Sequence, residues 1–279
     1  MISRRYKLPS NRFQKATILS HARAGRGYYR LVLRASETAS AAVPGSFVML
    51  RVSANLDPLL ARPFGIASLP TRSSIEIYYR VAGRGTGLLT TMEAGQSLNL
   101  LGPLGNGFPL PDRAVMPVLV SGGSGFPPLH FFSLKAGSRA HVFIGARDKD
   151  CLPPAPVVTS FREHVAGVHI TTEDGSAGRQ GMTTDALAAF LDKREAGSLI
   201  VLYACGPRGM LAAVSRMASE HGILCFVSME ERMACGVGTC MGCSVSAKDG
   251  GYRRICREGP VFDSREIEWG EQFPVKMKR

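Results

Sequence analysis

The feature that most restricts the architecture of this chain is a change of period near Pro111 and Asp112. Before it, from about residue 15 to residue 101, short runs with strand character are separated by Gly, Pro and Ser: Tyr28 to Arg34, Phe47 to Val52, Ser74 to Arg80 and Ser97 to Leu101. That spacing predicts an antiparallel barrel or sandwich. After it, the runs Val115 to Val120, His141 to Gly145, Val168 to Thr171 and Ser198 to Tyr203 alternate with helical stretches, which predicts a parallel sheet with helices on its faces. One helix is expected over about 127 to 136. Another is expected over about 207 to 221, with Pro207 in its first turn, Met210, Leu211, Val214, Met217 and Ala218 on one face, and Gly222 at C′. A length of 279 residues suits two medium domains and a small appendage. The boundaries are expected at 1–110, 111–226 and 227–279, a β-barrel plus an α/β domain plus a C-terminal module.

The appendage carries Cys235, Cys240, Cys243 and Cys256, spaced C-x4-C-x2-C-x12-C, the plant-type arrangement of thiolate ligands for a 2Fe-2S cluster. Gly236, Gly238 and Gly242 lie among them and let the backbone bring N–H groups close to sulfur. Zinc is the competing reading, because the Cys240 and Cys243 pair alone has the spacing of a zinc knuckle, although a four-residue gap before it fits a zinc ribbon poorly. Buried, unligated thiols are the third reading, and the default one for Cys151 and Cys225.

Composition excludes several classes. No apolar run approaches the roughly 20 residues of a membrane helix. The odd count of seven cysteines, and Pro9, Asn11 and Arg12 where the apolar run of a signal peptide would stand, point to a reducing compartment, the cytoplasm. A net charge of +12 invites a nucleic-acid reading. The distribution argues against it: nine basic and no acidic residues fall in the first 36, and elsewhere basic residues are mixed with acids, without an aromatic-interleaved basic stripe. The six histidines show no H-x-x-x-H spacing.

Three segments carry candidate binding chemistry. Ser121-Gly122-Gly123-Ser124-Gly125-Phe126-Pro127-Pro128 follows an apolar strand and precedes a helix, so a pyrophosphate can approach its backbone. It lacks the third glycine of the dinucleotide fingerprint, and a plain tight turn is the alternative. A nucleophile elbow around Ser124 is rejected, since Phe126 stands where that motif needs glycine. Ala204-Cys205-Gly206-Pro207 makes a second Gly/Pro turn at the end of a strand. In the first domain, Arg62-Pro63-Phe64-Gly65 places a guanidinium suited to phosphate beside a rigid dipeptide. Tyr78-Tyr79-Arg80 leads into Gly83-Arg84-Gly85-Thr86-Gly87, for which an ordinary hairpin is the alternative.

The ordered set RPFGIAS, YYRVAGRGTGLL, LGPLGNGF, SGGSGFPPL, TEDGSAGRQG, YACGPRGML, SMEERMACGVGTCMGC and CREGPVFD covers nearly the whole chain from about residue 14. It resembles the electron-transfer subunits of type B dihydroorotate dehydrogenases. That resemblance implies ferredoxin-reductase architecture, with a flavin-binding barrel, a nicotinamide-binding α/β domain and a 2Fe-2S module. It also implies an FMN-containing catalytic partner subunit, in a heterotetramer of two plus two, which oxidises dihydroorotate to orotate in pyrimidine synthesis and passes electrons through the cluster and FAD to NAD. By position, Arg62, Pro63, Phe64 and Gly65 are expected at FAD, with Arg62 on its pyrophosphate. Tyr78, Tyr79 and Arg80 are expected along the flavin, and Gly85 and Thr86 on its phosphates. Gly122, Gly123, Gly125, Cys205, Gly206 and Pro207 are expected around NAD, with Cys205 a wall and not a nucleophile.

Two departures from the family pattern stand out. Gly65 occupies the place of a Ser or Thr whose hydroxyl is expected to bond flavin N5. Ser121 and Ser124 replace a glycine and an apolar residue in the nucleotide loop. Arg147 would attract a 2′-phosphate, but Asp148 and Asp150 beside it would repel one, so NAD is favoured over NADP. The same modules occur in sibling reductases, of the ferredoxin-NADP transhydrogenase or hydrogenase type. A zinc-stabilised basic binding module is the reading from another class. No segment reads as an orotate pocket or as a base for dihydroorotate, so a partner is expected to dock near Val237, Met241 and Val261, unless these side chains pack the module internally.

Overall fold

A computed structural model describes residues 12–53, 55–194 and 197–270. The first sheet contains β1 (Arg12–Gly25), β2 (Tyr28–Arg34), β3 (Phe47–Arg51), β4 (Arg62–Gly65), β5 (Ser68–Thr71), β6 (Ser74–Arg80) and β7 (Ser97–Leu104), in the antiparallel order β4-β3-β7-β1-β2-β6-β5. Alternation explains its core: Leu31 and Leu33, Val48 and Leu50, Ile75 and Ile77, and Leu98 and Leu100 all point inward, one residue in two. The two end strands of that order are consecutive in sequence. The chain pairs first with β3 and then, beyond Ile66 and Ala67, with β6, which folds the sheet back on itself as a barrel. Helix α1 (Ser36–Ala41) covers one flank, and the short α2 (Arg84–Leu89) follows β6.

The second sheet runs β11-β10-β9-β8-β12-β13-β16, built from β8 (Met116–Gly122), β9 (His141–Ala146), β10 (Gly167–Thr172), β11 (Arg179–Gln180), β12 (Ile200–Cys205), β13 (Leu224–Ser228) and β16 (Val261–Asp263). All neighbours are parallel except β16, which lies antiparallel on β13. Strands buried on both faces should read as unbroken apolar runs, and β8 does: Val118 and Val120 enter one core cluster while Leu119 enters the other. Helices α3 (Phe126–Ala136) and α4 (Ala155–His164) cover one face through Phe126, Leu129, Phe132, Val157 and Phe161. Helices α5 (Thr183–Asp192) and α6 (Arg208–Glu220) cover the other through Leu187, Leu191, Leu211, Val214 and Ala218. Gly222 takes φ +65° just beyond α6, as its position in sequence predicts.

The barrel docks on the α3 face. Tyr28 and Tyr78 meet Phe126 with ring centroids 5.4 and 5.7 Å apart, and Phe131 of α3 is buried in the barrel's own core. The C-terminal segment adds the small hairpin β14 (Ser244–Ser246) and β15 (Tyr252–Arg254). Asn106 joins it to the rest: Nδ2 donates to the carbonyls of Glu258 (2.9 Å) and Val261 (2.8 Å), and Oδ1 accepts the Val261 N–H at 2.9 Å. Three such bonds at a net of about 0.5–1.5 kcal/mol each outweigh the entropy of ordering one side chain. This gives the LGPLGNGF motif its physical purpose, since it holds the C-terminal segment in place.

Candidate functional site

In an open α/β sheet a ligand crevice forms where the strand order reverses, at the carboxyl ends of the strands. Here the chain starts at β8, proceeds outward to β9 and β10, then returns to β12 on the other side, so the reversal lies between β8 and β12. The two glycine turns picked out in the sequence follow those two strands. They touch: a Cβ on Gly125 would lie 2.3 Å from the Cys205 carbonyl oxygen, and one on Gly122 would lie 2.6 Å from Met210 Sδ. Only glycine permits this approach at 125, because what it would strike is backbone. A cavity of about 370 Å³ opens there, lined by Gly122, Gly123, Pro207 and Met210, and by Arg80 from the barrel. Its far end includes Gly145, Arg147, Glu173 and Thr183.

A second cavity, of about 450 Å³, lies between the barrel and the end of β13. Its walls are Phe47, Pro63, Gly65, Pro128, Pro260 and the run Ser228 to Met233. A mostly apolar slot of this size suits a flat aromatic ring system. Beside it Arg62 lies across the start of α2 at Gly85, where a Cβ would come within 2.4 Å of Arg62 Nε. Thr86 Oγ1 accepts the N–H groups of Ala82 (2.9 Å) and Gly83 (3.1 Å), fixing the turn that presents α2. A guanidinium and a glycine-lined helix start beside an apolar slot fit the phosphates and ring of a dinucleotide flavin.

The pleat divides the two tyrosines expected along the flavin. Tyr78 faces α3, and burial, followed by the charge of Glu76, pushes its phenol up to about 12. Tyr79 turns into the barrel core, where Phe64 meets it edge-on at 5.8 Å and its hydroxyl bonds His21 Nε2 at 2.9 Å. Arg80 points instead to the nucleotide cavity, its guanidinium 5.1 Å from the centre of the Tyr28 ring. Cys205 is fully buried, and burial drives its thiol well above the ordinary range, so it contributes backbone to the crevice and is not primed as a nucleophile.

The four clustered cysteines stand as two adjoining pairs. Cys235 contacts Cys240, and Cys243 contacts Cys256. Among the described residues no three His, Cys, Asp or Glu side chains converge on one point. Two pairs are what a two-iron core requires, since each iron takes two thiolates. Backbone N–H groups approach sulfur, Val237 to Cys235 at 3.4 Å and Cys256 to Cys243 at 3.5 Å. Burial opposes ionisation of Cys235, but the N–H groups of Cys240, Val237 and Thr239 outweigh it and bring the thiol down to about 6. Burial and its neighbour Cys243 push Cys256 up to about 12; a bound metal would deprotonate it outright. Gly236 and Gly238 adopt φ +71° and +85°, while the third left-handed position belongs to Met241 (φ +59°) and not to Gly242. Arg254, paired with Glu258, donates to the Gly238 carbonyl at 2.7 Å and pins the loop. The expected docking trio divides: Met241 is 50% exposed and Val237 half-buried, but Val261 is 2% exposed, packed inward between Gly45 and the second sheet.

Sequence reasoning assigned no site role to Ser228–Met233, although SMEERM runs directly into the first cysteine and supplies one wall of the flavin-sized slot. It also missed Thr183, which carries no motif of its own, and named Pro128 only within the nucleotide loop, whereas the structure sets it in the flavin-sized slot.

Fold and site together define a ferredoxin-reductase-like flavin and iron–sulfur reductase. The solved structure of an NADH-dependent reduced ferredoxin-NADP oxidoreductase superposes with a TM-score of 0.77 at 26% identity, covering 91% of this chain and 90% of that one. A ferredoxin NADP+ reductase from Neisseria gonorrhoeae shares the fold at 14% identity, with a TM-score of 0.59, covering 80% of this chain and 95% of that one. Residues 230–268 match the family described as the iron-sulfur cluster binding domain of dihydroorotate dehydrogenase B. The dihydroorotate dehydrogenase B (NAD(+)) electron transfer subunits of Shouchella clausii and Bacillus caldolyticus are 37% and 35% identical to it, each across 91% of this chain and 97% and 98% of their own lengths. The chain belongs to this family of electron-transfer subunits.

Gly65 has room for a side chain. A Cβ there would meet Pro128 Cδ at 3.6 Å, an ordinary contact. Gly65→Ser is therefore expected to keep FAD and cluster content and to move the flavin's midpoint potential, as measured by anaerobic redox titration. A titration identical to the parent's would show that a backbone N–H or water already serves N5.

Proposed function

We infer that this chain exchanges electrons between an FMN-containing, dihydroorotate-oxidising partner and NAD, through a 2Fe-2S cluster and FAD, in the cytoplasmic synthesis of pyrimidines. A heterotetramer of two such chains with two partners is the assembly this reading takes. The observation that carries it is continuity. The Ser228–Met233 wall of the flavin-sized slot runs straight into Cys235, and Gly236 rests against Met49 of the barrel, where a Cβ would fall 2.7 Å from Met49 Cγ.

In this reading Cys235, Cys240, Cys243 and Cys256 hold the cluster, and the N–H groups on their sulfurs stabilise its negative charge. Arg62, Gly85 and Thr86 hold the FAD phosphates; Pro63 and Gly65 back the ring, with Phe64 and Tyr79 packed behind them in the barrel core, while Tyr78 sets the barrel against α3 and Arg80 serves the nucleotide cavity. Gly122, Gly123, Gly125, Cys205, Gly206 and Pro207 form the backbone cradle of NAD, and Pro128 lines the flavin-sized slot. FAD, when bound, exchanges hydride with NAD on one side and single electrons with the cluster on the other. The overall reaction balances as dihydroorotate plus NAD+ giving orotate, NADH and a proton.

The test is reconstitution. The chain alone is expected to reduce dyes with NADH but not to oxidise dihydroorotate; adding the FMN subunit should bring dihydroorotate-dependent NAD reduction. Dihydroorotate oxidation by the chain alone would refute the division of labour. A silent mixture from an active chain would favour the second reading, a sibling ferredoxin-linked reductase, which the 0.77 TM-score of the ferredoxin-NADP oxidoreductase supports.

A further inference from the structure

The nucleotide cavity is lined at its far end by Glu173, the one carboxylate among the described residues that line it. Glu173 stands just beyond β10, with its N–H donating to the Ala146 carbonyl at 3.1 Å, so the ends of β9 and β10 are tied together under it. Opposite is Thr183, the first residue of α5. It is 6% exposed, it lines the cavity, and its Oγ1 has no hydrogen-bond partner. A buried hydroxyl without a partner costs about 1–3 kcal/mol unless a ligand or water completes it. Gly145 makes the space it occupies, since a Cβ there would lie 2.7 Å from Thr183 Cβ.

Arg147 also borders the cavity, and taken alone would invite an anion. Its guanidinium is already engaged. Nη2 donates to Cys151 Sγ at 3.5 Å, and the charges of Asp148 and Glu173 both act on it. Asp148 does not enter the cavity lining: its Oδ1 accepts the N–H groups of Asp150 and Cys151, each at 2.9 Å. The sequence pattern placed the discrimination between nucleotides on Arg147, Asp148 and Asp150. In the fold the acid that lines the cavity is Glu173, 25 residues beyond Asp148 and just past the next strand.

A dinucleotide laid with its pyrophosphate on Gly122 and Gly123 would have one arm toward Cys205, which pairs with Ser228 at the edge of the flavin-sized slot, where hydride exchange would occur. The other arm crosses the ends of β9 and β10. Resting on the NAD reading above, we propose that Glu173 selects NAD over NADP: its carboxylate accepts the hydroxyls of the adenosine ribose, Thr183 Oγ1 supplies a second partner, and the same carboxylate repels a 2′-phosphate carrying about −1.5 to −2 charges.

The experiment measures equilibrium binding of NADH and NADPH, anaerobically, to the full chain loaded with FAD and cluster. The parent should prefer NADH. Glu173→Gln should weaken NADH several-fold, strengthen NADPH by removing the charge that repels its 2′-phosphate and leaving that of Arg147 to attract it, and so reduce the preference at least tenfold. Adding Arg147→Ala to that variant should remove the NADPH gain, and Glu173→Asp should retain most of the preference. An unchanged ratio in Glu173→Gln overturns the proposal while leaving the NAD site in place. A parent that binds NADPH as tightly as NADH overturns it as well. A parent that binds neither overturns the NAD reading and the proposal together.

Discussion

Cys243→Ala is expected to yield a protein with its flavin and almost no iron or acid-labile sulfide. Cys243 is 2% exposed and in contact with Cys256, so with the four cysteines proposed as ligands its loss would remove one of two thiolates from an iron and leave the other buried without its pair. Among the described residues no other group of three or more His, Cys, Asp or Glu side chains offers an alternative metal site. The slot proposed for the flavin is lined by Phe47, Pro63, Gly65 and Pro128 from other segments, and should survive. In the reconstituted mixture, dihydroorotate-dependent NAD reduction should vanish, while NADH-driven dye reduction persists in the chain alone. Cys225→Ala is the control: that thiol lies inside β13, burial pushes it up to about 12, and its removal should cost stability and no iron. Iron at the parent level in Cys243→Ala would overturn the ligand assignment.

The second large effect is expected from Gly125→Ala. One methyl group would be set 2.3 Å from the Cys205 oxygen, 2.5 Å from its carbon and 2.8 Å from the Gly206 nitrogen. None of these atoms can swing aside, so the two turns of the crevice must separate. Overpacking of this kind costs about 1–3 kcal/mol. The separation should weaken NADH binding by tenfold or more and lower the melting temperature by several degrees, with FAD and iron contents retained. Unchanged NADH affinity would show that contact between the two turns is not needed for the nucleotide.

Much of this was legible in the sequence where local pattern and burial agree. The run Tyr28–Arg34 and the run Ser74–Arg80 form strands over those very residues, because alternate side chains reach one core. The cysteine spacing pointed to the segment that matches the iron-sulfur cluster binding domain, residues 230–268. Other parts depended on tertiary partners. β1, 14 residues long, mixes Lys15, Thr17, Ser20 and Arg23 with Ala16 and Ile18 and is interrupted by bulges, so its alternation does not stand out. β16 has three residues and is a strand only because β13 offers an edge. Tyr78 and Tyr79 illustrate a rule that the sequence already contained: neighbours on a strand point to opposite faces, so a motif naming both cannot put both rings on one ligand. The acid at 173 was hidden for another reason. Its role arises from the juxtaposition of two strand ends, which no spacing within either strand encodes.

The antiparallel pairing of β16 with β13 has a consequence for how such a reductase can change over time. The segment that follows the cysteines adds β16 as the seventh strand and covers the edge that β13 would otherwise expose, and it is fastened again by Asn106. It is therefore not a cassette that can be cut away or exchanged by recombination without baring a strand. Its electron outlet is held by the stiffness of the sheet itself and does not hang on a swinging tether, so adaptation to a new redox partner is confined to surface residues around a fixed port.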